Sequence, residues 1–569
     1  MRHLLLFTIG PVQPLIVNSR KVSDMFAGSR LLSSLMQDAL QILEHQQEVR
    51  ILFPFIEKGE GNCPNIPNKL IAELNLTEGK SPEEIATFLE LYIKKQFFTV
   101  CMGYLNDVGI METEEGSAAR QLRDFLEVFW IAEEYESQPY SEVYQKLFRK
   151  MNLVKSIRTF SQNQEPWNRK CALFPQYNAI YAKCGKSAGV RQYPANINPT
   201  DVYDISEVPK LTYAVKPKEA LSAIAMVKRS YGRILGMYSL RQMLLRHQIG
   251  KIKNGKQILV DLENRAGGKT VSSTGDQIAN AVYDYGHGNP PDYEEYDKDA
   301  WEYAVQLYHT IQEEDISLSD YYAMLKFDGD NMGEIFLNKH TVKEQQELSR
   351  SISDFASEIP NVLKEFNGLL VYAGGEDFLG FLPLDTLLAC LDKLQKLFQE
   401  RVKLTFSAGI VIAHLMQPLK MVALAAEEME MKAKQAEGKD AFVLGILKRS
   451  GERVVSPPYK FDDYSGCAYP KMTDLRRLLE TICKNECPRA LLNNIITLFR
   501  CFLKEDVRPE KARAEILLRE SVSVSKAQDA DELADCLVLF YEREESLDAF
   551  LDTLNAVLFL AREVGSCII

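Results

Sequence analysis

Gly374-Gly375-Glu376-Asp377 sets two carboxylates directly after two glycines, and Asp328-Gly329-Asp330 adds two more at the end of a short apolar run. Glycine tolerates positive φ and lets a backbone come close to a ligand. Carboxylates at the ends of neighbouring strands can converge on a pair of divalent cations. Magnesium, or manganese in its place, prefers oxygen ligands and keeps waters and substrate phosphates in its shell. Such ions lower the cost of an attacking 3′-oxygen and offset charge on a pyrophosphate leaving group. The chemistry these residues suit is metal-dependent nucleotidyl transfer. Asp328, Glu376 and Asp377 are the expected catalytic carboxylates. Asp328, Gly329, Glu376 and Asp377 are expected to hold the metal, and Gly374 and Gly375 to lie against the nucleotide. Acidic turns with glycine are common, so the tetrad alone says little; the constellation around it says more.

The elements that must position these groups follow from periodicity. Tyr322 to Phe327 reads as a strand and Asp328-Gly329-Asp330 as a turn, followed by a helical stretch. Leu369 to Tyr372 and Phe378 to Leu382 form a hairpin with the glycines at its tip. Thr405 to Ala413 is a further strand, carrying Ser407-Ala408-Gly409, and Met421 to Gln435 is a helix ending at Lys434. This order predicts a ferredoxin-like palm. Near the N-terminus, Leu4 to Ile9 reads as a buried strand broken by Gly10-Pro11, and Val12 to Leu40 as a helix. Residues 166–200 are irregular, with Trp167, Cys171, Pro175, Cys184, Pro194 and Pro199. The glycines and prolines of 264–296, among them Gly267, Gly268, Gly275, Gly286, Gly288, Pro290 and Pro291, predict a long loop. Leu475 to Ile482, Ala490 to Leu503 and Leu533 to Phe559 are amphipathic helical stretches.

Length and charge narrow the class. A chain of 569 residues is long enough for several domains. Its formal net charge of -12 argues against a protein that coats nucleic acid with its whole surface. A local basic groove from Lys216, Lys218, Lys228, Arg229 and Arg233 is one reading of those residues; a solvated helix face is the other. The 11 cysteines are odd in number, without disulfide-like spacing. No apolar run approaches a membrane span, and the apolar start is too short for a signal peptide. The expectation is a cytoplasmic protein with reduced thiols and no membrane partner.

The segment order is similar to that of GGDEF-type nucleotide cyclases, in which a lysine at the place of Lys434 meets the triphosphate. The N-terminal residues narrow the resemblance. Phe7-Thr8-Ile9-Gly10-Pro11-Val12-Gln13, Arg20-Lys21, Asp24 and Gly28-Ser29 with Leu31-Leu32-Ser33 resemble the first palm of the large polymerase-cyclase subunit of type III-B (Cmr) CRISPR complexes. Ile66-Pro67-Asn68-Lys69 resembles a later part of that palm. Glu219 to Ala223 with Lys228-Arg229 resembles the stretch after the family's zinc region. Asp328 to Gly333 and Gly374 to Phe378 resemble its second palm.

The resemblance implies an α+β fold: two ferredoxin-like palms, an intervening helical region with a degenerate zinc motif, and a C-terminal helical domain. The expected boundaries are 1–165, 166–310, 311–445 and 446–569. It implies a subunit assembled with other Cmr subunits, crRNA and target RNA. Target pairing would switch on conversion of ATP into a signalling nucleotide. The product would be cyclic oligoadenylate or, as in some relatives without an HD nuclease domain, ATP joined to S-adenosylmethionine. The two palms would face each other, each holding one nucleotide. With Ile9-Gly10 where the second palm has Asp328-Gly329, the first palm would bind nucleotide without chemistry, and Gly28 and Ser29, at the start of a turn, could contact its phosphate or ribose; a helix cap or packing glycine is the other reading.

Departures from the family pattern matter. No His-Asp dipeptide occurs, so an HD nuclease is not expected. Cys171 and Cys184 each lack a partner three residues on, so the zinc motif reads as decayed. Cys483 and Cys487 share a helical face and read as core thiols. The family's Gly-Gly-Asp-Asp is here Gly-Gly-Glu-Asp, which leaves open whether Glu376 or Asp377 dominates. A free-standing GGDEF cyclase and a catalytically weak scaffold subunit are the competing readings.

Overall fold

Leu4, Leu5, Leu6 and Phe7 are buried without alternation, as suits a strand covered on both faces. They lie in β1 (Arg2–Gly10), which is followed by α1 (Val12–Val17), α2 (Val22–Glu44), β2 (Val49–Phe53), β3 (Lys69–Asn75), α3 (Pro82–Asp107), α4 (Ser117–Arg123), β4 (Glu127–Glu134) and α5 (Tyr140–Ser156). The structure, a computed structural model, describes residues 2–55, 66–77, 79–111, 113–136, 139–157, 165, 167–187, 190–192, 196, 202–206, 208, 211, 215–216, 219–265, 272–291, 296–462, 469–484, 489–525 and 529–564. Two compact units make up the chain: residues 1–317 with 331–357 and 371–375, and residues 318–330 with 358–370 and 376–569.

In the first unit the strand order β2-β3-β1-β4, antiparallel throughout, is the ferredoxin-like arrangement. Leu5, Phe7 and Ile9 face a core shared with α2 and α3. By strand alternation Leu4, Leu6 and Thr8 face the other way, toward α5, where Lys146 reaches Glu133 of β4 at 2.7 Å. The single helix expected over Val12 to Leu40 is broken: Asn18 to Lys21 separate α1 from α2, and the Ser19 hydroxyl donates to the Ile16 carbonyl at 2.7 Å.

Short strands β5 (Tyr181–Ala182), β6 (Gly185–Ser187), β7 (Val190–Gln192), β8 (Tyr203–Asp204) and β9 (Ala220–Leu221) follow, as a three-stranded sheet β8-β5-β9 and a hairpin β6-β7. Then come α6 (Ala223–Leu235), α7 (Leu240–Gly250), α8 (Gly255–Arg265), α9 (Ser272–Gly286) and α10 (Lys298–Glu313). Residues 264–296 are therefore not one long loop. The apolar face of Ile278, Ala279, Ala281 and Val282 is buried and decides for helix. Gly286 is a packing residue there, since a Cβ on it would lie 2.7 Å from the Tyr308 ring. Gly267, Gly268, Pro194, Pro199, Lys218 and Cys487 lie outside the described residues.

The second sheet is built from β10 (Tyr321–Gly329), β11 (Leu369–Gly374), β12 (Asp377–Leu382), β13 (Phe406–His414), β14 (Ala441–Leu447), β15 (Arg453–Val455) and β16 (Tyr459–Lys460). Its helices are α11 (Met332–Leu337), α12 (Val342–Glu365), α13 (Leu387–Val402) and α14 (Leu419–Gln435). The order β11-β12-β10-β13 repeats that of the first sheet, and α14 is the crossover that lets β14 run parallel to β13. Phe327 stacks between Phe378 and Phe406, with ring centroids 4.6 and 4.1 Å away, on one face of the sheet. The chain closes with α15 (Met472–Lys484), α16 (Arg489–Lys504), α17 (Lys511–Val524), α18 (Ala530–Arg543) and α19 (Leu547–Val564). The continuous pattern read over Leu533 to Phe559 is two helices, divided where Glu544 turns extended and Arg508 donates to the Tyr541, Glu544 and Glu545 carbonyls. No helix among the described residues is long and apolar enough to cross a membrane.

Candidate active site

Antiparallel pairing sets Phe327 opposite Phe378, so the next step in register places Asp328 opposite Asp377. Asp328 also pairs with Ser407 of β13. Directly opposed residues project to the same face, so Asp328, Asp377 and Ser407 form one row, on the face away from the phenylalanine stack. Two residues back on that face is Lys326, opposite Gly409. A Cβ on Gly409 would fall 2.2 Å from the Ala426 carbonyl, so glycine is what lets α14 settle onto the sheet. That contact brings Glu430 and Lys434 over the acidic row. Glu430 is buried and takes Lys326 at 2.9 Å and Lys434 at 2.8 Å. Lys434 is also ion-paired with Asp328. Burial works against its charge, but the Asp328 and Glu430 carboxylates outweigh that and hold it above the ordinary lysine value. Lys326 and Glu430 were not singled out from sequence. Their signal was the alternation Lys326/Asp328 and the i, i+4 spacing Glu430/Lys434.

Asp330 does not converge with Asp328. It is buried and accepts from Thr405 Oγ1 at 2.9 Å, Ser407 Oγ at 2.8 Å and the Asp440 amide at 3.0 Å. Its carboxylate thus ties the start of β13 to the loop after α14. Asp328 stays partly open, with 26% of its side chain exposed.

Between β11 and β12, Gly375 has φ +70 at the first corner of a two-residue turn, the type II′ pattern that favours glycine. Gly374 is covered: the Tyr372 hydroxyl donates to its carbonyl at 3.2 Å, and a Cβ on Gly374 would lie 2.0 Å from that hydroxyl. Glu376 occupies the turn half-buried, whereas Asp377 begins β12 exposed, on the row of Asp328. Lys432 pairs with Glu428 at 3.3 Å, away from the row.

Three expectations for the first palm are corrected. Gly28 and Ser29 lie inside α2, not at the start of a turn. A Cβ on Gly28 would be 2.6 Å from the Leu15 carbonyl, so this glycine serves the contact with α1, and Ser29 is buried. Strand alternation sets Thr8, not Ile9, at the position corresponding to Asp328, because Phe7 and Phe327 are the core-facing neighbours. The basic groove does not form, since Lys228 and Arg229 are buried. Arg229 pairs with Asp24 at 2.8 Å and Glu219 at 3.2 Å. Lys228 donates to the Asn18 carbonyl at 2.8 Å and Ser19 Oγ at 2.7 Å. These cations hold the chain between α1 and α2. Cys171 belongs to the first palm's core, and Cys184 is buried with its amide directed at the Asp204 carboxylate.

Two ferredoxin-like palms in one chain, one with an acidic row under a lysine-bearing helix, define a two-palm protein. Residues 321–443 match the family described as Cas10/Cmr2, second palm domain, and residues 4–101 match CRISPR-associated protein Cmr2, N-terminal. The two matched stretches liken the chain to the Cas10/Cmr2 proteins of type III-B CRISPR systems. It is 23% identical over 550 residues to the CRISPR system Cmr subunit Cmr2 of Pyrococcus furiosus, spanning 80% of this chain and 62% of that protein. Among solved structures it resembles a type III-B Cmr-beta complex chain in the apo state, with TM-score 0.67 at 12% identity, covering 98% of this chain and 81% of that one. A Cmr-beta chain bound to cognate target RNA gives TM-score 0.63 at 13% identity, covering 98% and 83%. Identities this low speak for the fold.

Proposed function

We propose that this chain is a metal-dependent nucleotidyltransferase that converts ATP into a signalling nucleotide. It would work as a subunit of an RNA-guided complex with other Cmr subunits, crRNA and target RNA. The observation that carries the reading is the shared row of Asp328 and Asp377 under Lys434. The donor set suits magnesium or manganese: carboxylates of Asp328 and Asp377, the Gly329 backbone beside them and Glu376 at the turn are oxygen donors of the kind hard cations take. The ammonium lying on Asp328 already serves as a cation for that carboxylate. When bound, the metal would supply Lewis-acid activation of the 3′-oxygen and charge neutralisation on the leaving pyrophosphate.

The chain's own residues do the rest. Asp328 and Asp377, fixed by adjacent strands, set the spacing of the donors. Gly375 lets the turn at Gly374-Gly375 come close to the nucleotide. Lys434, anchored by Glu430, presents a compact positive charge to the triphosphate once Asp328 is otherwise occupied. The product is cyclic oligoadenylate or an adenylylated S-adenosylmethionine. Mass spectrometry of products from the purified complex with target RNA, given ATP alone and then ATP with S-adenosylmethionine, separates the two. No adenylylated product under either condition overturns the reading.

A further inference from the structure

Gly409 seats the middle of α14 on the sheet, at Ala426 and Glu430. Lys434 lies beyond that contact, next to last in the helix. Helix ends fray unless something closes them. A common closure is a left-handed residue directly after the helix. α14 lacks it: Ala436 is extended, with φ -60 and ψ 140. The left-handed residues come later, three in succession. Gly438, Lys439 and Asp440 have φ +70, +53 and +47. Two of the three are not glycine, and a side chain disfavours this conformation. A run of this kind persists only where its surroundings over-determine it.

Those surroundings are specific. Asp330 accepts from the Asp440 amide at 3.0 Å. The Lys439 amide closes back on the Ala436 carbonyl at 2.9 Å. The Lys460 ammonium donates to the Glu437 carbonyl at 2.6 Å and to the Lys439 carbonyl. Lys460 is fully buried, a rare place for a lysine, whose charge must be matched where water is excluded. The two carbonyls, the Tyr469 ring 5.2 Å away and the charges of Asp440 and Asp330 supply the match. Lys460 is itself held. Its amide donates to the Pro470 carbonyl at 2.9 Å, it pairs with Ala441 of β14, and the hydroxyl of its neighbour Tyr459 meets Thr553 of α19 at 3.1 Å. The ammonium is thus an arm with a fixed base in β16, and it ends on the turn directly behind Lys434.

We infer that Lys460 is a positioning residue for the proposed transfer reaction: by holding the carbonyls of the turn 437–440 it fixes the last turn of α14, and with it the place of the Lys434 ammonium. What Lys434 meets rests on the proposed function; that Lys460 sets the turn rests on its own contacts. The effect of Lys460 on synthesis passes through Lys434. A lysine buried for stability alone would act on the active fraction whether or not Lys434 is present.

The test is a mutant cycle on the full chain in its assembled complex with target RNA, read as ATP requirement and rate of synthesis. Lys460→Met keeps an unbranched side chain and removes the ammonium. It should raise the ATP requirement or slow synthesis about tenfold. Gly438→Val, at the exposed part of the turn, disturbs the same left-handed backbone and leaves the ammonium in place. It should act likewise. In a Lys434→Ala background neither substitution should slow synthesis further, because the group they position is gone. Losses that add to that of Lys434→Ala overturn the inference, as does wild-type behaviour of Lys460→Met. If Lys460→Met does not assemble, Gly438→Val decides by the same criteria. A wild-type complex that makes no adenylylated product overturns the proposed function, and the cycle is then read in magnesium-ATP binding by equilibrium dialysis. Affinity lost from Lys460→Met only where Lys434 is present upholds the inference. A loss independent of Lys434, or no loss, overturns it.

Discussion

Lys434 is gripped from two sides, by Asp328 at the end of β10 and by Glu430 one helical turn back on α14. An ammonium held this way needs no reordering to meet a phosphate. Lys434→Ala should therefore slow synthesis roughly ten- to hundredfold or raise the ATP requirement, with folding and assembly intact. Lys432, paired with the half-buried Glu428, should tolerate alanine. Steady-state kinetics on both variants decide: equal, near-wild-type rates would remove Lys434 from the site.

The two aspartates of Asp328-Gly329-Asp330 should respond differently. Asp328→Ala with Asp377→Ala should abolish synthesis while target RNA binding persists, because both lie on the open row. Asp330→Ala should instead cost stability, on the order of 3 kcal/mol, since it leaves two buried donors and a half-buried one without their acceptor. Product assays and denaturant titrations on the same preparations would show the split. A stable but inactive Asp330 variant would contradict it.

How much of this was legible in sequence depends on distance along the chain. The second palm was readable because its apolar runs, turn glycines and acids are local signals. Which acid shares a face with Asp328 was not, because that is settled by the register Phe327 to Phe378 rather than by the tetrad itself. The same one-residue difference separates Thr8 from Ile9. Lys228 and Arg229 read as surface charge because their partners, Asn18, Ser19 and Asp24, come from a segment distant in sequence. Gly28 and Gly286 looked like turn or loop glycines, yet each makes room for a packing neighbour, the Leu15 carbonyl and the Tyr308 ring.

The Arg229 network predicts an acid limit to stability. Burial alone would raise Asp24 and Glu219, but the Arg229 guanidinium outweighs it and holds both below their ordinary values. Folded values lower than unfolded ones give stability that is present above the unfolded carboxylate range and lost as pH falls through the folded values. Arg229→Met should strip that stabilisation and leave two buried carboxylates uncompensated, at a cost of about 3–5 kcal/mol. Its stability should then rise, not fall, on mild acidification. Thermal melts of both proteins across the acid range would test the opposite slopes.

For zinc, the positions of Cys171 and Cys184 bear on the outcome. Cys171 packs among Leu173 and Phe174 in the first palm's core, where a thiol behaves as a small hydrophobe. Elemental analysis of purified protein should find substoichiometric zinc, because a structural site takes a full tetrahedral ligand set. A stoichiometric content would overturn the reading of a decayed motif.

The C-terminal helices carry a titration of the opposite sign. Glu544 is buried between α18 and α19, and Thr553 donates to it at 2.8 Å while Tyr459 meets the same hydroxyl at 3.1 Å. Burial pushes its carboxyl up to about 8, with the Thr553 bond offsetting only part of the effect. In the unfolded chain the same group titrates near 4.5. Between those two values the folded state holds a proton that the unfolded state has released. Stability therefore declines as pH rises from about 4.5 toward 8. The decline amounts to on the order of 5 kcal/mol if the whole shift is expressed. Glu544→Gln is neutral at every pH and keeps the carbonyl that Thr553 addresses. It should be more stable than the wild type near pH 8, little changed near pH 4, and flat in between. Denaturant midpoints measured at a series of pH values would check this. A wild-type profile parallel to that of the glutamine variant would show that Glu544 titrates as an ordinary carboxylate.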